Sequence, residues 1–267
     1  MKSKNPMRSI IIMFTIIVIL YPIFPLFVQS IAGSWDYKEL FPSSFTFDNY
    51  ITIIDTYNIP QVTKNSVIVS VVVVLVSLVL GIFPAKYIGT RDFKGKTWAQ
   101  VLTMMPVMAP GIIVLFGIGR VFAEMGIYRT YMSLILSEVV FLIPYMIMVL
   151  VPVFKNYDRG IEDQAATLGV GRLSTLMNVT FPSIKSGIAV ACMYVFISSW
   201  ATYLAVSMYA PVGFETMGFI MYPAIKFGQV PESLLAALTI IFFIPSVVFL
   251  LISTWIMGTD KVNNQRV

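Results

Sequence analysis

"RGIEDQAATLGVGRLSTLMNVTFPSIKSG", residues 159–187, is a polar, helix-patterned stretch inside a chain that is otherwise overwhelmingly apolar. From Asp158 to Leu168 the apolar residues Ile161, Ala165 and Leu168 fall at helical spacing, while Glu162, Asp163 and Gln164 occupy other faces. Acidic residues near the start of that helix suit its dipole. Gly169 and Gly171 then break it, glycine being the residue best able to take the left-handed turn that ends a helix. A second amphipathic run, with Leu173, Leu176, Met177 and Val179, follows before Pro182 starts the return to apolar sequence. Such a helix–turn–helix cannot bury its apolar face alone. It is expected either to lie on a bilayer or to dock into a partner.

The surrounding sequence supplies the bilayer. Of 267 residues, 58% are hydrophobic and 12% charged, and the mean hydropathy is +0.85. Soluble domains run at about 45–50% apolar and about 25% charged, so the composition is that of an all-α polytopic membrane protein. A hydrocarbon core of about 30 Å needs about 20 apolar helical residues. Six spans meet that requirement: Ser9–Ile31, Ser66–Ile88, Ala99–Phe122, Tyr131–Phe154, Gly187–Tyr209 and Leu234–Met257. The proline and glycine inside them (Pro106, Pro110, Gly111, Pro144, Pro245) are tolerated in bilayer helices when neighbours re-satisfy the backbone. The apolar run of the first span exceeds the roughly 7–15 residues of a signal-peptide core, so an uncleaved helix is expected.

Orientation follows from lysine and arginine in the loops. Lys2, Lys4, Arg8, Lys86, Arg91, Lys94, Lys96, Lys155, Arg159, Arg172, Lys185, Lys261 and Arg266 share one side. Lys38, Lys64, Arg120, Arg129 and Lys226 lie on the other, so both termini and the 159–187 stretch are expected to be cytoplasmic. The basic pI reflects this asymmetry and does not indicate a nucleic-acid partner. The organisation expected is a single transmembrane domain over 1–267. It comprises a first helix and outer loop (1–65), a five-helix core (66–257) and a cytoplasmic tail (258–267).

Most chemistry is excluded. The single cysteine, Cys192, forbids an intrachain disulfide, and the absence of histidine removes the commonest metal ligand and general base. Gly95-Lys96-Thr97 ends like a phosphate-binding loop, but the position five residues before Gly95 is Thr90, and a membrane span rather than a strand leads in. Gly169 and Gly171 begin a dinucleotide fingerprint whose third glycine is replaced by Ser174. No soluble catalytic module fits, so the chain is expected to be non-catalytic. The outer loop from Ala32 to Lys64 has too little periodicity for a domain, and "APVGFETMGFIMYPAIKFGQVPES" reads as holding a short re-entrant or surface helix. Neither half repeats the other, which argues against repeat-built secondary transporters.

Two features inside the spans are candidate pathway groups. Glu138 sits within the fourth span, where a carboxylate usually faces a bundle interior or a wet cavity; the competing reading is that the span starts later and Glu138 lies at the outer interface. "FISSWATY" in the fifth span places Ser198, Ser199, Trp200, Thr202 and Tyr203 together, as a lining or as ordinary interhelical packing.

Here the sequence resembles a family. Permease subunits of binding-protein-dependent ABC importers, of the MetI-like fold, carry between their fourth and fifth spans a pattern written EAA, three residues, G, nine residues, I, any, L, P. Gly169 and Pro182 hold its glycine and proline at the required separation of thirteen, with Val179 for the isoleucine and Phe181 for the leucine. Asp163, Gln164 and Ala165 stand where the family has its EAA triplet, so two of those three depart from it. "NSVIVSVVVVLVSLVLGIFPAKY", "MMPVMAPGIIVLFGIG" and "FGQVPESLLAALTI" look like the family's second helix, third helix and approach to the last. The resemblance implies five core helices after a peripheral one, and a coupling helix within Asp163–Pro182 seated on a cytosolic ATPase dimer. That ATPase binds ATP and Mg, and the resemblance further implies a second permease, in a hetero-dimeric pore, and an extracytoplasmic solute-binding protein. Glu162, Asp163, Gln164, Ala165, Leu168, Gly169, Gly171, Val179, Phe181 and Pro182 are the coupling positions so implied.

Sugar permeases tend to show "DGA" at the glycine, whereas this chain has "LGV", whose "LG" form looks more like that of the groups for polyamines, thiamine, phosphonate, iron and sulfate. The pattern is most similar to the second permease of spermidine/putrescine-type importers, and Glu138 suits a cationic solute electrostatically. The competing class is a channel or ion-coupled secondary transporter, which predicts uptake without ATP.

Overall fold

The computed structural model describes residues 6–35, 39, 41–228 and 230–263. Lys2, Lys4, Lys38 and Arg266 of the orientation count, and residues 264–267 of the expected tail, lie outside the described residues. Among the described residues four helices are each long and apolar enough to cross a membrane: Ile59–Thr90, Tyr131–Lys155, Arg172–Trp200 and Glu232–Ile256. Two bent pairs, Ile11–Val18 with Ile23–Ser30 and Lys96–Met108 with Gly111–Glu124, raise the number to six if each is one span. The chain is an all-α polytopic membrane protein, with a short two-stranded ribbon, Ala32–Ser34 against Ser44–Phe45, outside the helices.

The first expected span, Ser9–Ile31, is two helices broken at Tyr21 and Pro22 and bent by 42°, and three further spans shift, each for a local reason. The second begins at Ile59 rather than Ser66, after Asn58 takes left-handed backbone (φ 46°) and separates it from a helix at Asp48–Thr56. Asparagine is among the few non-glycine residues that tolerate that conformation. The third, expected as one helix, is two helices meeting at 93°. Pro110 disfavours helical backbone at the residue before it, and Ala109 is extended (φ −85°, ψ 149°).

The fifth span begins at Arg172 and ends at Trp200, with Leu204–Tyr209 a separate short helix. Pro182 therefore does not open a new element. A π turn over Leu176–Thr180 widens the helix just before it, which relieves the clash between a proline ring and the preceding turn. The segment expected to hold a short re-entrant or surface helix contains a helix, Met217–Phe227.

The chain forms two compact units, Met1–Val62 with Ile220–Pro245, and Thr63–Phe219 with Ser246–Val267. In the first, Asn49 Nδ2 donates to the carbonyls of Ser30 (3.1 Å) and Ala32 (2.9 Å), and the Tyr50 hydroxyl donates to Ser30 Oγ (2.8 Å). These bonds pin the Asp48–Thr56 helix against the end of Ile23–Ser30.

In the second unit, Tyr131–Lys155 and Arg172–Trp200 pack along their length around Leu134, Met146, Leu150, Phe154, Val195 and Trp200, all buried. The helices approach closely because glycine stands at the crossings. A Cβ on Gly187 would lie 2.5 Å from Val153 Cγ2, and one on Gly89 2.7 Å from the Val151 carbonyl oxygen.

Candidate functional site

The 159–187 stretch forms a hairpin of a short helix, Gly160–Thr167, and the first turns of Arg172–Trp200. Asp158 Oδ1 accepts from the Gly160 N–H (2.8 Å), satisfying one of the amides left unpaired at the first turn. At the other end Gly169 has φ +77°; its N–H bonds the Ala166 carbonyl and the Val170 N–H bonds that of Ala165, both at 3.0 Å. This is a Schellman closure, which requires a left-handed residue at Gly169. Gly171 has φ −65° and ψ 152°, a conformation open to any residue, so the turn depends on only one of the two glycines.

Which faces are covered is also informative. Ala165, Thr175 and Thr180 are buried on the inner side. Leu168 and Leu173 are 82% and 74% exposed, and Ile161, Val170 and Met177 are exposed as well. The apolar periodicity therefore marks an uncovered strip, flanked by the exposed Asp163, Gln164 and Pro182; Val179 and Phe181 are half-buried.

Glu162 points the other way. Lys86 Nζ, one turn from the end of the Ile59–Thr90 helix, contacts its two carboxylate oxygens at 2.7 and 2.8 Å, and Thr180 Oγ1 donates to it at 2.5 Å. Burial works against the charged form, but the bonds from Lys86 and Thr180 outweigh it and hold the carboxyl below its ordinary range. The buried Tyr157 hydroxyl lies in the same neighbourhood. Sequence reasoning grouped Glu162 with the docking residues and counted Lys86 as a loop charge. The available signal was that Lys86 continues the apolar pattern of a helix.

Of the span residues, Glu138, Ser199 and Thr202 come together. Glu138 is 2% exposed, and Ser199 Oγ donates to its Oε2 while Oε1 has no partner. With Gly111, Leu115, Leu142 and Thr202, Glu138 lines a cavity of about 170 Å³ at the foot of the 93° bend. The Tyr209 hydroxyl closes the neighbouring wall by donating to the Leu115 carbonyl. Ser198 is half-buried and is not part of that lining. Trp200 and Tyr203 are placed in ring stacks instead, on Phe196 (6.1 Å) and Phe219 (5.7 Å). A larger groove of about 430 Å³, between Met177–Cys192 and Phe249–Ile256, is apolar apart from Lys185 and Ser253. Among the described residues no group of acidic and sulfur side chains is arranged to hold a metal ion, and Cys192 is a free thiol.

A family model described as "Binding-protein-dependent transport system inner membrane component" matches residues 77–259, more than half the chain. The inner membrane ABC transporter permease protein YcjP of Escherichia coli is 28% identical over 73% of this chain and 71% of its own. The trehalose transport system permease protein SugB of Mycobacterium tuberculosis is 26% identical over 87% of each. The spermidine/putrescine transport system permease protein PotC of Escherichia coli is 23% identical over 81% of each. Among solved structures, a chain of a bacterial ABC transporter involved in the import of the acidic polysaccharide alginate superposes with a TM-score of 0.73. That chain is 16% identical, and the match covers 94% of this chain and 95% of that one.

Proposed function

The chain belongs to the family of binding-protein-dependent transport system inner membrane components, and on that premise we propose that its Gly160–Thr180 hairpin is the coupling element of an ATP-driven importer. As a member it is a membrane-spanning, non-catalytic permease subunit that forms part of a translocation pore. The observation that carries the hairpin's role is its uncovered apolar strip, Leu168 and Leu173 above all, held rigid by the Gly169 closure. An apolar helix face on a polar loop is suited to a groove on a partner, here a cytosolic ATPase that binds ATP and Mg. A second permease, making a hetero-dimer, and an extracytoplasmic solute-binding protein complete the assembly. Both termini and the hairpin face the cytoplasm, and the pore core is residues 66–257.

The solute is small and polar. A cation such as spermidine or putrescine is favoured by Glu138, whose buried carboxylate keeps one oxygen unpartnered in a cavity. A saccharide is the second reading, favoured by the trehalose relative. The test is uptake into proteoliposomes holding the complete transporter and its binding protein. ATP-dependent accumulation of labelled spermidine, reduced severalfold by Glu138→Gln, supports the cationic reading. Trehalose uptake indifferent to that change supports the second. Accumulation driven by an ion gradient without ATP overturns the importer assignment itself.

A further inference from the structure

Three segments meet at one carboxylate. Glu162 belongs to the short helix of the hairpin, Thr180 to the π turn where the hairpin enters the membrane helix, and Lys86 to the last turn but one of Ile59–Thr90. Lys86 grips both carboxylate oxygens, and Thr180 occupies a further lone pair of Oε1. The paired side chains retain only 26% and 16% exposure, so solvent screens them less than an ordinary surface ion pair. The neighbouring acid, Asp163, is exposed on the outer face. Residues 162 and 163 therefore divide two tasks: one is turned toward whatever lies outside, the other toward the membrane helices.

The hairpin's inner face explains why such a tie is needed. Its buried residues are small, Ala165, Thr175 and Thr180, and offer little interdigitation to carry a displacement inward. The Ile59–Thr90 element, by contrast, is one 32-residue helix, with Pro84 inside it two residues before Lys86. We propose that the Lys86–Glu162–Thr180 cluster is the joint that conveys movement of the hairpin to the Ile59–Thr90 helix, with Glu162 as its positioning residue. The inference rests on the coupling role proposed for the hairpin and assigns its inward connection. Without the joint, a partner still seats on Leu168 and Leu173, but its motion is absorbed by flexing of the hairpin.

The test uses the complete transporter in lipid, with its ATPase, second permease and binding protein. Glu162→Gln and Lys86→Met are each expected to leave ATPase co-purification and hydrolysis intact while solute moved per ATP falls about fivefold, as expected for a lost charge-assisted bond. The exchanged pair, Lys86→Glu with Glu162→Lys, is expected to recover most of that ratio. Hydrogen exchange gives a readout that a purely structural role would not move. In the parent, nucleotide changes the protection of 160–180 and of 80–90 together; in Glu162→Gln only the first change survives. An unchanged ratio in both single variants, or a surviving response at 80–90, overturns the joint. Should the single variants not assemble, Thr180→Val removes one bond of the set, and an unaltered ratio there overturns the proposal equally. Failure of the docking reading appears elsewhere, in variants of Leu168 and Leu173 that leave this cluster intact.

Discussion

Glu162 and Glu138 are both withdrawn from water, and the protein treats them in opposite ways. A buried carboxylate is costly unless it is paired and hydrogen-bonded. Glu162 is completed by one cation and one hydroxyl from other segments. Glu138, more deeply buried at 2% exposure, receives a single hydroxyl from Ser199, and among the described residues no lysine or arginine pairs with it. The difference suits Glu162 to the proposed joint and Glu138 to the proposed solute site. Three acceptor positions of Glu162 are filled by the fold, which suits the mechanical role proposed for it. Glu138 keeps acceptor capacity facing a cavity, where a mobile species can meet it.

The sharpest way to break this division is to attack the surface that should drive the joint. Replacing Leu168 and Leu173 together by aspartate removes two apolar anchors, each worth about 1.5–3 kcal/mol when buried in a partner. ATPase association should then weaken roughly a hundredfold in a titrated pull-down, with the Lys86–Glu162 pair untouched. Undiminished association would show that the exposed strip is not a docking surface, and Glu162 would have nothing to transmit.

Next in size is Gly169→Val. No atom lies within 4 Å of a Cβ added there, so the cost is purely conformational, about 1–2 kcal/mol for a left-handed L-residue. Uptake should fall about tenfold while hydrolysis continues, and Gly169→Asn should stay near the parent because asparagine accepts positive φ. Equal transport by the valine and asparagine variants would mean that the turn need not hold its shape.

How far these sites could be read from the sequence depended on whether the signal was local. Helical spacing and the Gly169 turn are properties of a few adjacent residues, and the hairpin was legible from them, whereas the 93° bend at Pro110 was not, that proline having been read as tolerated inside one span. The spacing of Gly169 and Pro182 likewise pointed to the family. The orientation of the hairpin was not legible: its large apolar residues Leu168, Leu173 and Met177 are exposed while Ala165 and Glu162 face inward, Glu162 because its inner partner is a lysine 76 positions away. The uninterrupted run from Arg172 through Pro182 was hidden too, since a π turn carries no distinct composition. Trp200 and Tyr203 looked like pathway groups because aromatic and hydroxyl residues serve packing and lining alike, and only the stacks on Phe196 and Phe219 show which contacts they make.

A pH series sharpens the comparison at Glu162 itself. Its folded-state carboxyl lies below the usual 4.5, so the stabilisation it gives is complete above that value and is lost as pH falls through the depressed one. Hairpin amides, corrected for intrinsic exchange, should keep their protection down to about pH 5 and lose it severalfold in more acid solution. Glu162→Gln should start less protected and show no acid step. A step that persists in that variant would belong to another group and would overturn its assignment to Glu162.

The smallest effect expected is that of Asp163→Lys. Asp163 is exposed and lies beside the uncovered strip, so its charge reaches a docked partner only through solvent. Exposed pairs contribute about 0.2–1 kcal/mol and are screened by salt. Reversal should therefore weaken ATPase association a few-fold at low ionic strength, and the difference should vanish at about 0.5 M salt, where the screening length falls to a few ångströms. The same reversal at Glu162 would set a lysine against Lys86 and disrupt the hairpin at any salt concentration. Adjacent residues of one charge thus predict opposite salt dependences, and if the two variants respond to salt alike, the inward and outward roles of Glu162 and Asp163 are not distinct.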